Sequence, residues 1–282
     1  MDITNTANSQ DNLPSIIMQK KSVLESRLKL NGIDRSFEDY ANDIIYAVSK
    51  STELSKCKPA TIVDSAFQLA KYGLSIGGNI SHLVPFGNSC TFQIGYEGYA
   101  LLLNKYIGIR CQLYETVHSD DVFEYKADTI KTDEEGFLKS KAKISSFSKG
   151  AKRDTIKGAF AYLLLSNGNS HILYMNKSEI DIYKPSKISG SFWGKWDNLM
   201  YSKQVFKILA RKLLKSYAHT KPEIMEVIGE DENQNMKDIN QSQVDTVNTD
   251  NKVFTPTSVF QNIHTNAQDI EEDAQPIAQS AN

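Results

Sequence analysis

Several large functional classes are excluded by what this sequence lacks. It has three cysteines, Cys57, Cys90 and Cys111, an odd number at wide spacing. They build no disulfide framework and no CxxC pair for a metal or a redox cycle, so a reducing compartment is expected. Its five histidines form no cluster at metal-ligand spacing, and no metal site is expected. No apolar run approaches the roughly 18 residues that a membrane span requires. The N-terminal MDITNTANSQDN has neither the basic start nor the apolar stretch of a secretion signal. A soluble protein of the cytoplasm, without a membrane partner, is the expectation. The phosphate-cradling pattern GxxxxGK[ST] does not occur, which argues against an ATP-driven machine and leaves no cofactor to expect.

Charge of one sign is missing from the end of the chain. Residues 1–222 carry 30 basic and 22 acidic side chains, whereas 223–282 carry 2 basic and 12 acidic, so the overall net charge of −2 conceals a basic body and an acidic tail. A basic body suits phosphate contacts, and an acidic tail suits a solvated, partner-seeking appendage. With 40% hydrophobic residues the body can bury a core. Three parts are expected: a disordered N-terminus over 1–14, one folded domain over 15–222, and a mostly disordered tail over 223–282 with Val253–Ile263 as a partner-binding segment.

Within the body the periodicity is first helical. Ile16, Ile17, Val23, Leu24 and Leu28 recur at helical intervals over 15–30. Asp34 or Ser36 caps a second helix, and Pro59 and Gly73 bound a third. From His82 the pattern changes to short strands. Gly87-Asn88-Ser89 turns one hairpin, and Asn167-Gly168 turns another between Ile156–Leu165 and His171–Met175. Gly95-Tyr96-Glu97-Gly98 opens a helix between the first hairpin and strands at Ile109–Val117, Val122–Tyr125 and Lys139–Phe147. The expected fold class is α+β: an antiparallel sheet of four to five strands backed by helices.

The stretch that concentrates chemistry is Phe192–Tyr217, FWGKWDNLMYSKQVFKILARKLLKSY. On a wheel of about 100° per residue, Lys203, Lys207, Arg211 and Lys215 occupy one arc. Leu199, Val205, Phe206, Leu209, Ala210 and Leu213 fill the other side. This reads as a helix with its apolar face docked and its basic face open to a polyanion. Lys195 and the tryptophans Trp193 and Trp196 sit at its start. Lys149, Lys152 and Arg153 make a second basic cluster, and Lys105 and Arg110 a third. Tyr96, Trp193 and Trp196 are candidates either to stack on bases or to anchor packing.

Several ordered blocks resemble the RecT family of phage and prophage single-strand annealing recombinases. They are LAKYGLSIGG and HLVPFGNSCTFQIGYEGYALLLNKYIGI within Leu69–Ile109, Val117 with Asp121-Val122-Phe123-Glu124-Tyr125, GAFAYLL over Gly158–Leu164, and Met175 with Glu179-Ile180. The last is the spacing of Trp193, Met200 and Lys203. The resemblance covers roughly Ala60 to Tyr217. It implies ATP-independent binding of single-stranded DNA, pairing of complementary strands, and assembly into rings or helical filaments that hold the annealed duplex. It also implies a bacterial host cell, and a companion exonuclease and the host single-strand-binding protein as partners of the C-terminal part. No catalytic residue is implied. Two other readings stay open: a DNA-coating protein without annealing activity, and a metal-dependent nuclease built on Asp120, Asp121, Glu124 and Asp133-Glu134-Glu135.

Overall fold

The computed structural model describes residues 13–126, 131–132, 138–139, 143–184, 197–218, 222–229 and 231. Four helices come first: α1 (Leu13–Gln19), α2 (Lys21–Leu30), α3 (Phe37–Ser49) and α4 (Pro59–Tyr72), with a short 3-10 turn at Leu54–Lys56. Ser36 caps α3 by accepting the Asp39 N–H at 3.0 Å. Gly73 ends α4 in the left-handed conformation (φ 82°), which lets the Leu74 N–H reach back to the Leu69 carbonyl at 2.9 Å. The single helix expected over 15–30 is instead two, because the backbone leaves helical geometry at Lys20. Leu13, Ile17, Leu24 and Leu28 from the two pieces are all buried against the neighbouring helices.

A hairpin comes next, β1 (Ser81–Phe86) and β2 (Ser89–Ile94), paired in register from Ser81↔Ile94 to Phe86↔Ser89. Helix α5 (Tyr96–Tyr106) leads into β3 (Ile109–His118), β4 (Val122–Lys126), β5 (Lys131–Thr132), β6 (Leu138–Lys139), β7 (Lys143–Ser148), β8 (Ile156–Leu165) and β9 (Ser170–Asn176). Helix α6 (Lys177–Asp181) starts with a capping box in which Asn176 and Glu179 bond each other's backbone N–H. The long helix α7 (Asp197–Tyr217) and a last helix over 222–229, α8, complete the described chain.

The α+β class and antiparallel pairing hold, but the single sheet of four to five strands does not form. The largest sheet has three strands, β3-β8-β9, and β4 pairs only with β7. A register shift falls between Val117 and His118, at the end of β3. The β4–β7 pair then lies across a face of the sheet, where Phe123 stacks on Phe160 at 5.4 Å and Phe147 meets the same ring edge-on at 5.0 Å. Helix α7 covers the other face. Small side chains at Ala159 and Ala161 let it approach closely, and Phe206 packs on Tyr114 at 5.0 Å.

Two polar clamps fix the ends of this arrangement. Asp181 accepts from Lys177 at 2.5 Å, from Lys184 at 3.1 Å and from the Tyr201 hydroxyl, joining α6 to α7. Burial alone would raise the Asp181 pKa, but those donors outweigh it and hold the carboxyl down at about 2. At the other end α8 buries Ile224, Val227 and Ile228, and Glu226 pairs with Lys71 of α4 at 2.6 Å. Asp231, just beyond α8, is fully buried too, and the apolar residues at helical spacing after Pro222 are what docks this helix.

Candidate nucleic-acid interface

Lys203, Lys207 and Arg211 recur every four residues and so share one side of α7. That side is turned toward α5 rather than toward open solvent. The Lys203 Nζ lies 4.2 Å from the centroid of the Tyr96 ring, and the Lys207 Nζ and Arg211 Cζ lie 5.9 and 5.6 Å from that of Tyr99. Each cation therefore meets the negative face of a tyrosine. Tyr96 in turn packs edge-on against Tyr114 at 6.0 Å. Its hydroxyl donates to Glu97 at 2.7 Å, and burial together with that carboxylate pushes its pKa up to about 12.

At the C-terminal end of this line stands the carboxylate of Asp231. It accepts from Arg211 at 3.1 Å, from the Tyr99 hydroxyl at 2.6 Å and from the Ile94 N–H at 2.8 Å, while Arg211 Nε also reaches the Tyr99 oxygen at 3.1 Å. Charged and neutral donors thus converge on one anion supplied by the chain itself. Burial lowers the pKa of Lys207, which Asp231 opposes and Arg211 reinforces. His82, on the outward side of β1, has its pKa lowered by burial and then by the charge of Lys207, so the hairpin borders the same line. Lys203 is also depressed by burial, with Glu97 acting against it. Half-buried cations of this kind gain more from a polyanion than fully hydrated ones do.

Burial along α7 departs from the wheel at several positions. Leu214, which falls inside the basic arc, is fully buried along with Val205, Phe206 and Ala210, whereas Leu199 is exposed and so are Lys212, Lys215 and Ser216. A wheel reports the division of a helix, and here the sheet covers one side while α5 packs along part of the other.

The other expected cations are dispersed. Lys105 donates to Asn31 Oδ1 at 2.9 Å and to the Tyr72 carbonyl at 3.3 Å, tying α5 to the ends of α2 and α4. Arg110 is exposed at the irregular first step of β3. Lys149 pairs with Glu115 at 2.8 Å. Glu115 stands opposite Phe160 in the register, on the face of the sheet away from α7, so Lys149 does not extend the α7 line. Arg153 donates to the Thr116 carbonyl at 2.8 Å, and Lys152 is exposed beside it. Lys195, Trp193 and Trp196 lie outside the described residues.

The carboxylates considered for a nuclease serve the backbone instead. Asp120 accepts the N–H groups of Lys152 and Arg153 at 2.7 and 3.0 Å, and Asp121 accepts those of Gly150 and His118 at 2.7 and 2.8 Å. They shape the 149–153 loop. Glu124 is exposed on β4, and Asp133-Glu134-Glu135 lie outside the described residues. Among the described residues no group of three His, Cys, Asp or Glu side chains is placed to hold a metal ion. No described helix is long and apolar enough to cross a membrane.

The residue that sequence reasoning missed is Asp231, which reads as part of the acidic tail. Its signal was faint: Ile224, Val227 and Ile228, at helical spacing, mark a docked helix immediately before it. The bordering roles of Glu97 and His82 had no local signal at all. Residues 38–246 match the RecT family profile. The uncharacterized protein YqaK of Bacillus subtilis (strain 168) is 25% identical over 249 residues, covering 83% of this chain and 81% of YqaK.

Proposed function

We infer, from the premise that this chain belongs to the RecT family, that it binds single-stranded DNA without a nucleotide cofactor and pairs complementary strands during recombination. The observation that carries the reading is the family match over 38–246, which takes in α5, the β1–β2 hairpin and the whole of α7. The α7 line supports it physically. Lys203 and Lys207 supply cations that phosphates can neutralise, and the tyrosines behind them pack within the protein, so bases are left free to pair. A second strand samples registers on those exposed edges. Each matched step contributes about 1.4 kcal/mol of stacking, so a short run of matches outlasts thermal exchange, and no hydrolysis is needed for a downhill reaction. Assembly into rings or filaments would lengthen the cationic line, and a companion exonuclease and the host single-strand-binding protein are the family-level partners.

The test is to mix complementary oligonucleotides with and without the protein, with no ATP present. Faster pairing is expected. Binding without acceleration would leave a DNA-coating role, and strand cleavage with magnesium would restore the nuclease reading. A variant carrying Lys203→Ala and Lys207→Ala is expected to bind single-stranded DNA more weakly. The slope of log affinity against log salt should become shallower by about 1.4, about 0.7 for each lost phosphate contact. An unchanged slope would move the interface to the exposed cations around Lys152 or Lys212.

A further inference from the structure

The β1–β2 hairpin has one face bound to the fold and one turned outward. Ser81 and Leu83 of β1 and Cys90, Phe92 and Ile94 of β2 are buried, and helix α4 packs on the hairpin. Strand alternation turns His82, Val84 and Phe86 the other way, together with their register partners Gln93, Thr91 and Ser89. His82 and Phe86 are exposed, and the other four are half-buried. Residues 81–94 contain no Asp or Glu, so this face carries no carboxylate. Its polar groups can donate: the His82 imidazole, the Gln93 amide, and the hydroxyls of Thr91 and Ser89. Cations stand at both ends. Burial and then the charge of Lys207 lower the His82 pKa, which sets that ammonium beside the first strand. At the turn, the Lys58 N–H donates to the Asn88 carbonyl at 2.8 Å, so that exposed Lys58 adjoins Gly87-Asn88.

We propose that the outward face of the β1–β2 hairpin is a track for the sugar-phosphate backbone of single-stranded DNA, running from Lys207 past His82, Gln93 and Thr91 to Lys58. The inference rests on the reading that the protein binds single-stranded DNA. Four residues at about 3.4 Å each carry from His82 to Phe86 in about 14 Å, the length of about four nucleotides at the rise of a duplex strand. Charge complementarity selects this occupant. A face free of acids and flanked at each end by a lysine suits a polyanion, whereas an apolar partner would find only Val84 and Phe86. Hydroxyl and amide side chains are also the groups that hold phosphate and sugar oxygens in register. Neutral donors between two cations fix the backbone without gripping the bases, so the base edges stay open to a second strand.

The experiment titrates a fluorescein-labelled oligo(dT) with full-length variants in low salt at mildly alkaline pH, read by anisotropy. His82→Ala is expected to bind about tenfold more weakly, the worth of one hydrogen bond to a charged oxygen. Its salt slope should match that of the unaltered chain, because a neutral donor releases no counterion. Thr91→Asp sets a carboxylate in the middle of the track. It should bind more weakly, by about tenfold or more, than Ser26→Asp, which adds the same charge at an exposed position on α2. Equal affinities for these two variants overturn the proposal and leave the DNA reading standing. A second readout uses the unaltered chain: bound oligo(dT) should protect His82 from diethyl pyrocarbonate, located by peptide mass spectrometry. Full reactivity of His82 under saturating oligonucleotide overturns the track as well. If the unaltered chain does not bind oligo(dT), the DNA reading falls and the track falls with it.

Discussion

Asp231→Ala is expected to lower the unfolding free energy by about 3–5 kcal/mol, measured by urea denaturation of the full chain. The carboxylate is fully buried, and its partner Arg211 has only 14% of its side chain exposed. Removal takes the carboxylate away from a poorly hydrated guanidinium and also leaves the Ile94 N–H and the Tyr99 hydroxyl without their acceptor. A buried donor without a partner costs about 1–3 kcal/mol, which sets a floor under the effect even if Arg211 relaxes outward. The companion variant Asp231→Leu/Arg211→Met should recover part of the loss, since no lone charge remains. Recovery stays incomplete because the backbone and phenol donors are still unmatched. A non-additive cycle of that kind identifies the ion pair as the dominant member. A loss below about 1 kcal/mol for the single variant would mean that the carboxylate is hydrated in solution.

Gly95→Ala should cost about 3 kcal/mol, at the upper end for an overpacked site. Gly95 has ordinary extended geometry (φ −78°, ψ 171°), so backbone strain contributes nothing. A β-carbon there would overlap the Asn79 carbonyl, 2.6 Å from its carbon atom. The obstacle is main chain, and the main chain cannot yield without breaking the bonds from Gly95 N–H to Ile80 O at 2.8 Å and from Glu97 N–H to Asn79 O at 3.2 Å. Gly87→Ala is the control, because a β-carbon at Gly87 meets nothing within 4 Å and only its φ of 58° opposes the change. That substitution should cost about 1 kcal/mol. Equal losses for the two variants, read from thermal or urea unfolding, would refute the steric account. The larger effect also has a functional side, since Gly95 aims Tyr96 and Tyr99 at Lys203 and Lys207.

What the sequence made legible was local. Ser36, Gly73, Gly87-Asn88 and Asn167-Gly168 each act within a few residues, and each lies where its chemistry places it. What it hid was decided at a distance. Periodicity cannot say whether a strand extends a sheet or lies across it, and the β4–β7 pair does the latter through Phe123 and Phe160. The same limit applied to the site. Lys203, Lys207 and Arg211 were legible as one helical stripe, but the tyrosines and the carboxylate that face them come from elements about a hundred residues earlier and about twenty later, and no wheel contains those. Lys105 illustrates the converse, a cation that sequence offers to DNA and that packing assigns to Asn31 and Tyr72.

The seam closed by α8 also bears on how the chain reaches this state. Ile94 and Asp231 are 137 residues apart, and Lys71 and Glu226 are 155 apart. Contacts of such separation are the slowest to form, because chain entropy must be lost before they repay it. During synthesis the β1–β2 hairpin, α5 and α7 are complete well before residue 231 exists. Until then Arg211 and the Tyr99 hydroxyl have no carboxylate to meet, and the apolar bed of Ile224, Val227 and Ile228 lies open. The nascent protein thus passes through a stage in which Arg211 has yet to meet Asp231 beside the ribosome, itself a polyanion, and the arrival of Asp231 closes that stage.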